Sequence, residues 1–278
     1  MRRFLGPSTF VLLAGAATAV LALVTGSTSK AHDGASREVA PFASHGLGAP
    51  PPELSAEARA FEDETRVAPL FAGGNFRMPL VNGPLEGERL PEPVARRALA
   101  VVRRELRRYR PERLVAVGLR RVVLAADLRE NGKLVSSLPN VAGALILDGA
   151  VPEAFLVRLV HHEVFHFFDF ADPERRAENE RWHGEHHLFA YGEGGRSVRA
   201  ASAGDVTREH PGFLTRYAMS AVEEDKAEVF SLLMTKPELV RERAEADAIV
   251  GAKVGHLRGK LRRLAPELRA AQERPSRY

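Results

Sequence analysis

The stretch "RLVHHEVFHFFDF", residues 158 to 170, sets three histidines and a glutamate in a mostly apolar run, and within it His162, Glu163 and His166 spell HExxH. On a helix, residues four apart share one face about one turn, or roughly 6 Å, apart, so both imidazoles can reach a single cation at the ~2.0 to 2.1 Å that zinc requires. Glu163 is rotated by about 100° from that line, which suits a general base that takes a proton from a water beside the metal. The neighbours Phe155, Leu156, Leu159, Phe165 and Phe168 are apolar. Unpaired imidazoles and a carboxylate are costly in such company, and a bound metal accounts for them.

A catalytic zinc takes three protein ligands and keeps one position open, so a third ligand is required. The metzincin continuation calls for glycine at 169 and histidine at 172. The chain has Asp169 and Asp172 there, which leaves Asp172 only a weak candidate. Glu185 lies 19 residues after His166 in "RWHGEHHLFAYGEGG", a stretch that reads as loop. A stronger candidate lies in "FLTRYAMSAVEEDKAEVFSLLM", where Ser220 can cap a helix with Glu223 three residues on, and Val222, Val229, Phe230 and Leu233 supply apolar contacts. Glu224 and Glu228 sit four apart on one face of it. The first suits the metal, and the second suits the far ring nitrogen of a ligand histidine. Glu223, Asp225 and Lys226 read as a solvated charge run. Asp169 can either orient His166 or cap the helix end, and His161 points off the ligand face.

HExxH followed by a distant glutamate, with another acid four residues later, resembles the gluzincin pattern. More narrowly, "YAMSAVEEDKAEVF" is similar to the second active-site segment of the anthrax lethal factor and Pro-Pro endopeptidase group and of related exported bacterial zinc metallopeptidases. That resemblance covers roughly residues 90 to 270, with specific motifs at 162 to 166 and 217 to 230. It implies that Tyr217, seven positions before Glu224, faces the reaction centre. It also implies a helix-rich lobe over a small sheet, with "GALILD" as the edge along which an extended peptide lies.

Several elements must position these groups. The HExxH helix is expected from Pro152, with Glu153 in its first turn where a negative charge favours the helix dipole. Before it, "LRRVVLAAD" and "AGALILDG" read as strands. "PVARRALAVVRRELRRY" reads as a helix with Pro93 in its first turn and Val94, Leu99, Val102 and Leu106 on one side. A short helix is expected from Ser55 to Glu64. At the far end Val250, Val254, Leu257, Leu261, Leu264 and Leu268 alternate four and three, and are expected to pack on the catalytic lobe. The fold class is thus α+β, a helix-rich zincin-like domain over residues 89–278 with a small sheet. Residues 32–88 read as a Pro/Gly-rich linker and N-terminal extension. Residues 1–31 combine a cationic start, an apolar run from Phe10 to Val24 and a small-residue site at Ser29-Lys30-Ala31, which reads as a signal peptide or an N-terminal membrane anchor.

The formal net charge of the 278-residue chain is +4, but Arg2, Arg3 and Lys30 fall within residues 1–31 with no acid, so setting those three aside leaves +1. The basic balance therefore does not point to nucleic acid. The chain has no cysteine, which removes thiolate metal sites and cysteine nucleophiles. Ten arginines between Arg96 and Arg121 read as a solvated face whose stems cover apolar surface. His183, His186 and His187 read as surface histidines near a cleft. The resulting expectation is an exported Zn²⁺-dependent peptidase acting on a peptide or protein substrate: His162, His166 and Glu224 hold the metal, Glu163 is the base, Tyr217 the oxyanion donor and Glu228 the partner of a ligand histidine. Two rivals are a zinc-bound surface protein without catalysis, and an arginine-driven binder of anionic polymers in which the metal is structural.

Overall fold

The computed structural model describes residues 42–80, 83–185, 189, 191 and 206–268. The expected leader, His186 and His187 lie outside the described residues. Among the described residues no helix is long and apolar enough to cross a membrane.

The fold is α+β with one open, mixed sheet. Its strands are β1 (Leu47–Gly48), β2 (Ala68–Ala72), β3 (Phe76–Met78), β4 (Leu85–Glu88), β5 (Arg121–Glu130), β6 (Lys133–Leu134), β7 (Ser137–Val141) and β8 (Ala144–Asp148). The long strand β5 is the hub. Its first half runs parallel to β2 on one side and to β8 on the other, while its second half pairs antiparallel with β4 and β6. β1 adds to β2, β3 to β4 and β7 to β8, each antiparallel.

Alternation along the central strands shows why they read as continuous apolar runs. Val122, Leu124, Leu145 and Leu147 join the large core under the helices, whereas Val123, Ala125, Ala144 and Ile146 join a second core with Phe42, Leu47, Phe76 and Leu128. Successive strand residues face opposite sides, so a strand covered on both faces must be apolar at every position.

Two expectations change here. The sheet draws β1 to β4 from residues 47–88, and Leu54 and Phe61 lie in the main core, so the stretch expected as linker and extension is part of this fold from Phe42 onward. Short strands broken by Gly and Pro gave no sustained period there. "GALILD" is also not an edge: β8 is paired on both sides, and the edge beside it, among the described residues, is β7.

The helices are α1 (Ser55–Thr65), α2 (Glu92–Leu106), α3 (Pro111–Ala116), α4 (Glu153–Phe170), α5 (Arg175–Gly184), α6 (Val222–Thr235), α7 (Pro237–Ala246) and α8 (Ala248–Leu264). The expected helices near Ser55, Pro93 and Pro152 form as read. In α8, Val250, Val254, Leu257 and Leu261 are buried in the main core, with Leu268 just beyond it, as their spacing predicts. Helix α5 occupies part of the stretch expected as loop. α6 begins at Val222 without the expected serine cap: Ser220 Oγ donates to the Tyr217 carbonyl instead.

Candidate functional site

Helices α4 and α6 pack face to face, with the rings of Phe165 and Phe230 5.2 Å apart. Val160, Val164 and Phe167 on one helix and Ala227, Val229 and Leu233 on the other are buried around that contact. The polar residues of the two helices meet on one side of it. His162, Glu163 and His166 are buried, and Glu224 is largely so.

Three ligand atoms converge there. His162 Nε2 is 3.2 Å from His166 Nε2 and 3.0 Å from Glu224 Oε2, and His166 Nε2 is 3.5 Å from the same oxygen. Ligand atoms on tetrahedral corners about 2.0 to 2.1 Å from a common centre stand about 3.3 to 3.4 Å from one another. The three separations bracket that value. These residues form a group that can hold a metal ion, and they are the one such group among the described residues.

Electrostatics point the same way. Burial disfavours a charged His162, yet the hydrogen bonds to Glu224 and Glu228 outweigh it and push the imidazole up to about 10. Glu224 is held well below the usual carboxylate range by His166 and His162 despite its burial. The cluster of carboxylates therefore demands positive charge between them, as a proton or as a cation.

Behind the ligands, Glu228 is fully enclosed. Its Oε1 takes His162 Nδ1 at 2.9 Å, and its Oε2 takes Thr215 Oγ1 at 2.5 Å. Arg158 Nη2 contacts the two oxygens at 3.1 and 2.8 Å. Thr215 also accepts the Ala218 N–H at 3.2 Å, which ties the turn bearing Tyr217 to this network. The Tyr217 ring lies 5.8 Å from the His162 ring, centroid to centroid. Glu163 Oε1 accepts from Ser137 Oγ at 2.5 Å, whereas its Oε2 is buried without a hydrogen-bond partner among the described residues.

The six residues expected at the site, His162, Glu163, His166, Tyr217, Glu224 and Glu228, are thus brought together. The alternatives are not. Glu185 pairs with His256 at 2.9 Å, and Asp172 pairs with Lys260 at 3.0 Å. Asp169 neither orients His166 nor caps the helix. It receives Lys226 at 2.5 Å, Lys260 at 2.6 Å and Arg175 at 3.1 Å. His161 turns away from the ligands, toward Tyr109 at 2.6 Å and Glu105 at 3.1 Å. His183 is exposed, its ring 5.7 Å from that of Tyr191.

The reading of Asp225 and Lys226 as solvated is overturned, since both are buried. Asp225 pairs with buried Lys253 at 2.6 Å and accepts from Trp182 at 2.8 Å and Tyr191 at 2.7 Å. Burial raises the Asp225 carboxyl and lowers the Lys253 ammonium, the directions desolvation gives each group. The residues missed by sequence reasoning are Ser137, Arg158 and Thr215. Arg158 alone had a local signal, because it stands four before His162 on the same helix.

Comparisons with protein-family models, with curated proteins and with solved structures return no match for this chain.

Proposed function

We propose that this chain is a zinc-dependent endopeptidase of gluzincin type, exported from the cell. The observation that carries the proposal is the convergence of His162 Nε2, His166 Nε2 and Glu224 Oε2 at separations of 3.0 to 3.5 Å, with Glu163 on the same helix. Two imidazoles and one carboxylate are the donor set of catalytic zinc sites, which leave a further position open. When bound, zinc would polarise the scissile carbonyl and bring the pKa of water toward ~7.

The chain's own groups supply the rest. Glu163 takes a proton from the nucleophilic water as its oxygen bonds the carbonyl carbon, and later delivers that proton to the departing amine nitrogen. Glu228, with the proton of His162 Nδ1 directed at it, fixes the ring so that Nε2 offers its lone pair to the metal. Tyr217 donates to the developing oxyanion, a role worth roughly 2.7 to 4 kcal/mol where such donors have been removed. An extended peptide or protein substrate would run along β7, the strand edge nearest Glu163.

The arginine-polymer reading loses support from the same structure. Arg103 pairs with Glu64, Arg104 with Glu105 and Glu153, Arg107 with Glu64 and Arg108 with Glu105, so these guanidiniums are already engaged. The test of the peptidase reading is a peptide library incubated with the purified chain. Cleavage abolished by a chelator and restored by zinc supports it. Zinc-loaded protein that cleaves none of the library leaves the non-catalytic binding protein as the better reading.

A further inference from the structure

Ser137 stands on the edge strand, opposite Leu147 of β8. The preceding residue is the bonded one: Asp148 N–H donates to the Ser136 carbonyl at 2.9 Å. In an antiparallel pair the bonded positions alternate, so Ser136 and Leu138 turn their backbone groups toward β8 and Ser137 turns its own away. Side chains alternate as well. Leu138 enters the core on the far face of the sheet, and Ser137 faces α4, where its Oγ meets Glu163 Oε1 at 2.5 Å.

The two oxygens of Glu163 therefore stand in different situations. Oε1 is held by a hydroxyl, while Oε2 is buried with no hydrogen-bond partner among the described residues. A buried carboxylate oxygen without a partner is costly, and such an atom in a site is an acceptor awaiting a donor. A glutamate side chain has three rotatable bonds, so without an anchor its carboxylate samples several orientations. One strong donor on one oxygen removes that freedom and aims the other.

We propose that Ser137 is a positioning residue for Glu163: it pins Oε1 and thereby assigns Oε2 as the oxygen that accepts the proton of the nucleophilic water. The step balances within the site. A water O–H bond breaks as the water oxygen bonds the carbonyl carbon, and the proton rests on Oε2. That proton then passes to the amine nitrogen as the C–N bond breaks, which releases the carboxylic acid and the amine and returns Glu163 to its anion. This rests on the hydrolytic reading above. It adds that the strand beside the substrate path also sets the base, through the side chain of one residue whose backbone is directed away from β8.

Replacing serine by alanine keeps the strand backbone and removes only the hydroxyl. In the zinc-loaded full chain, Ser137→Ala should lower kcat by about 10- to 100-fold, the scale of a misaligned catalytic group, with KM changed less than about twofold. Ser137→Thr, which keeps a hydroxyl, should recover most of that loss. Crystal structures of the parent and Ser137→Ala should show one Glu163 carboxylate orientation in the first and a turned or divided one in the second. If the parent cleaves peptide and Ser137→Ala has the same kcat, or threonine rescues nothing, the assignment is wrong while the hydrolytic reading stands. If the parent cleaves nothing, the hydrolytic reading fails. The paired crystal structures then decide the anchoring alone, and an unchanged Glu163 orientation in Ser137→Ala overturns it.

Discussion

Glu228 Oε1 lies 2.9 Å from His162 Nδ1, and the ring's other nitrogen lies 3.0 Å from Glu224 Oε2. One imidazole is thus held between two carboxylates that sit four residues apart on α6. In the proposed site the enclosed acid would fix the tautomer, and the outer one would share a metal position with the ring. Removing the enclosed acid should cost metal affinity without removing a ligand. Glu228→Ala is expected to weaken zinc binding by about 10- to 100-fold in a competitive titration with a chelator. Unchanged affinity would mean that Glu228 does not hold His162 in the orientation a metal needs.

Glu224 and Glu185 should separate cleanly in the same titration. Glu224 supplies a converging oxygen, so Glu224→Ala should reduce zinc affinity far more than Glu228→Ala. Glu185 pairs with His256 at the end of α5, and Glu185→Ala should leave affinity nearly as in the parent. The ligand assignment fails if Glu185→Ala strips the metal while Glu224→Ala retains it.

The sequence reveals contacts of short range and conceals those of long range. His162 with His166, and Glu224 with Glu228, are each one helical turn apart, so periodicity alone aligned them. Ser137 meets Glu163 across a strand-to-helix contact, and Thr215 reaches Glu228 from an irregular segment, where no period operates. Asp225 and Lys226 look solvated because their partners, Lys253 and Trp182 for the first and Asp169 and Asn179 for the second, come from other helices. A charged residue's burial depends on its counter-charge, and that counter-charge is remote in sequence. The short strands β2 to β4 escaped for a related reason: their pairing with β5 is what makes them strands.

The buried pair Asp225–Lys253 makes a stability prediction. Lys253 Nζ sits 4.1 Å from the centroid of Phe213 and is fully buried, and Asp225 adjoins Glu224 in sequence. Lys253→Met should destabilise the fold by about 3 to 5 kcal/mol, because it strands a buried carboxylate. Lys253→Met with Asp225→Asn should cost less than Lys253→Met alone. Denaturant unfolding of the metal-free proteins measures both, and a double variant less stable than the single one would contradict the pairing.

Acid stability should depend on Glu105. Burial favours its neutral form, but the hydrogen bond from His161 and the Arg104 and Arg108 guanidiniums bring the carboxyl down to about 2. With a folded pKa below the unfolded value near 4.5, the group's contribution is fully present above about pH 4.5 and is lost as pH falls toward 2. At about 1.36 kcal/mol per unit, that contribution is on the order of 3 kcal/mol. Glu105→Gln should flatten the fall in unfolding free energy over this window, whatever its effect at neutral pH. An acid limb as steep as the parent's would show that Glu105 is not the group responsible.

Whether the group His162, His166 and Glu224 does chemistry is decided by Glu163→Gln, with bound zinc and peptide hydrolysis measured on the same preparations. The parent should carry close to one zinc per chain and cleave peptide. Glu163→Gln should carry the same zinc and the same fold while hydrolysis falls by orders of magnitude, because only the base is lost. Undiminished hydrolysis in Glu163→Gln at full zinc occupancy would contradict the mechanism, and a parent that binds no zinc would contradict the site itself.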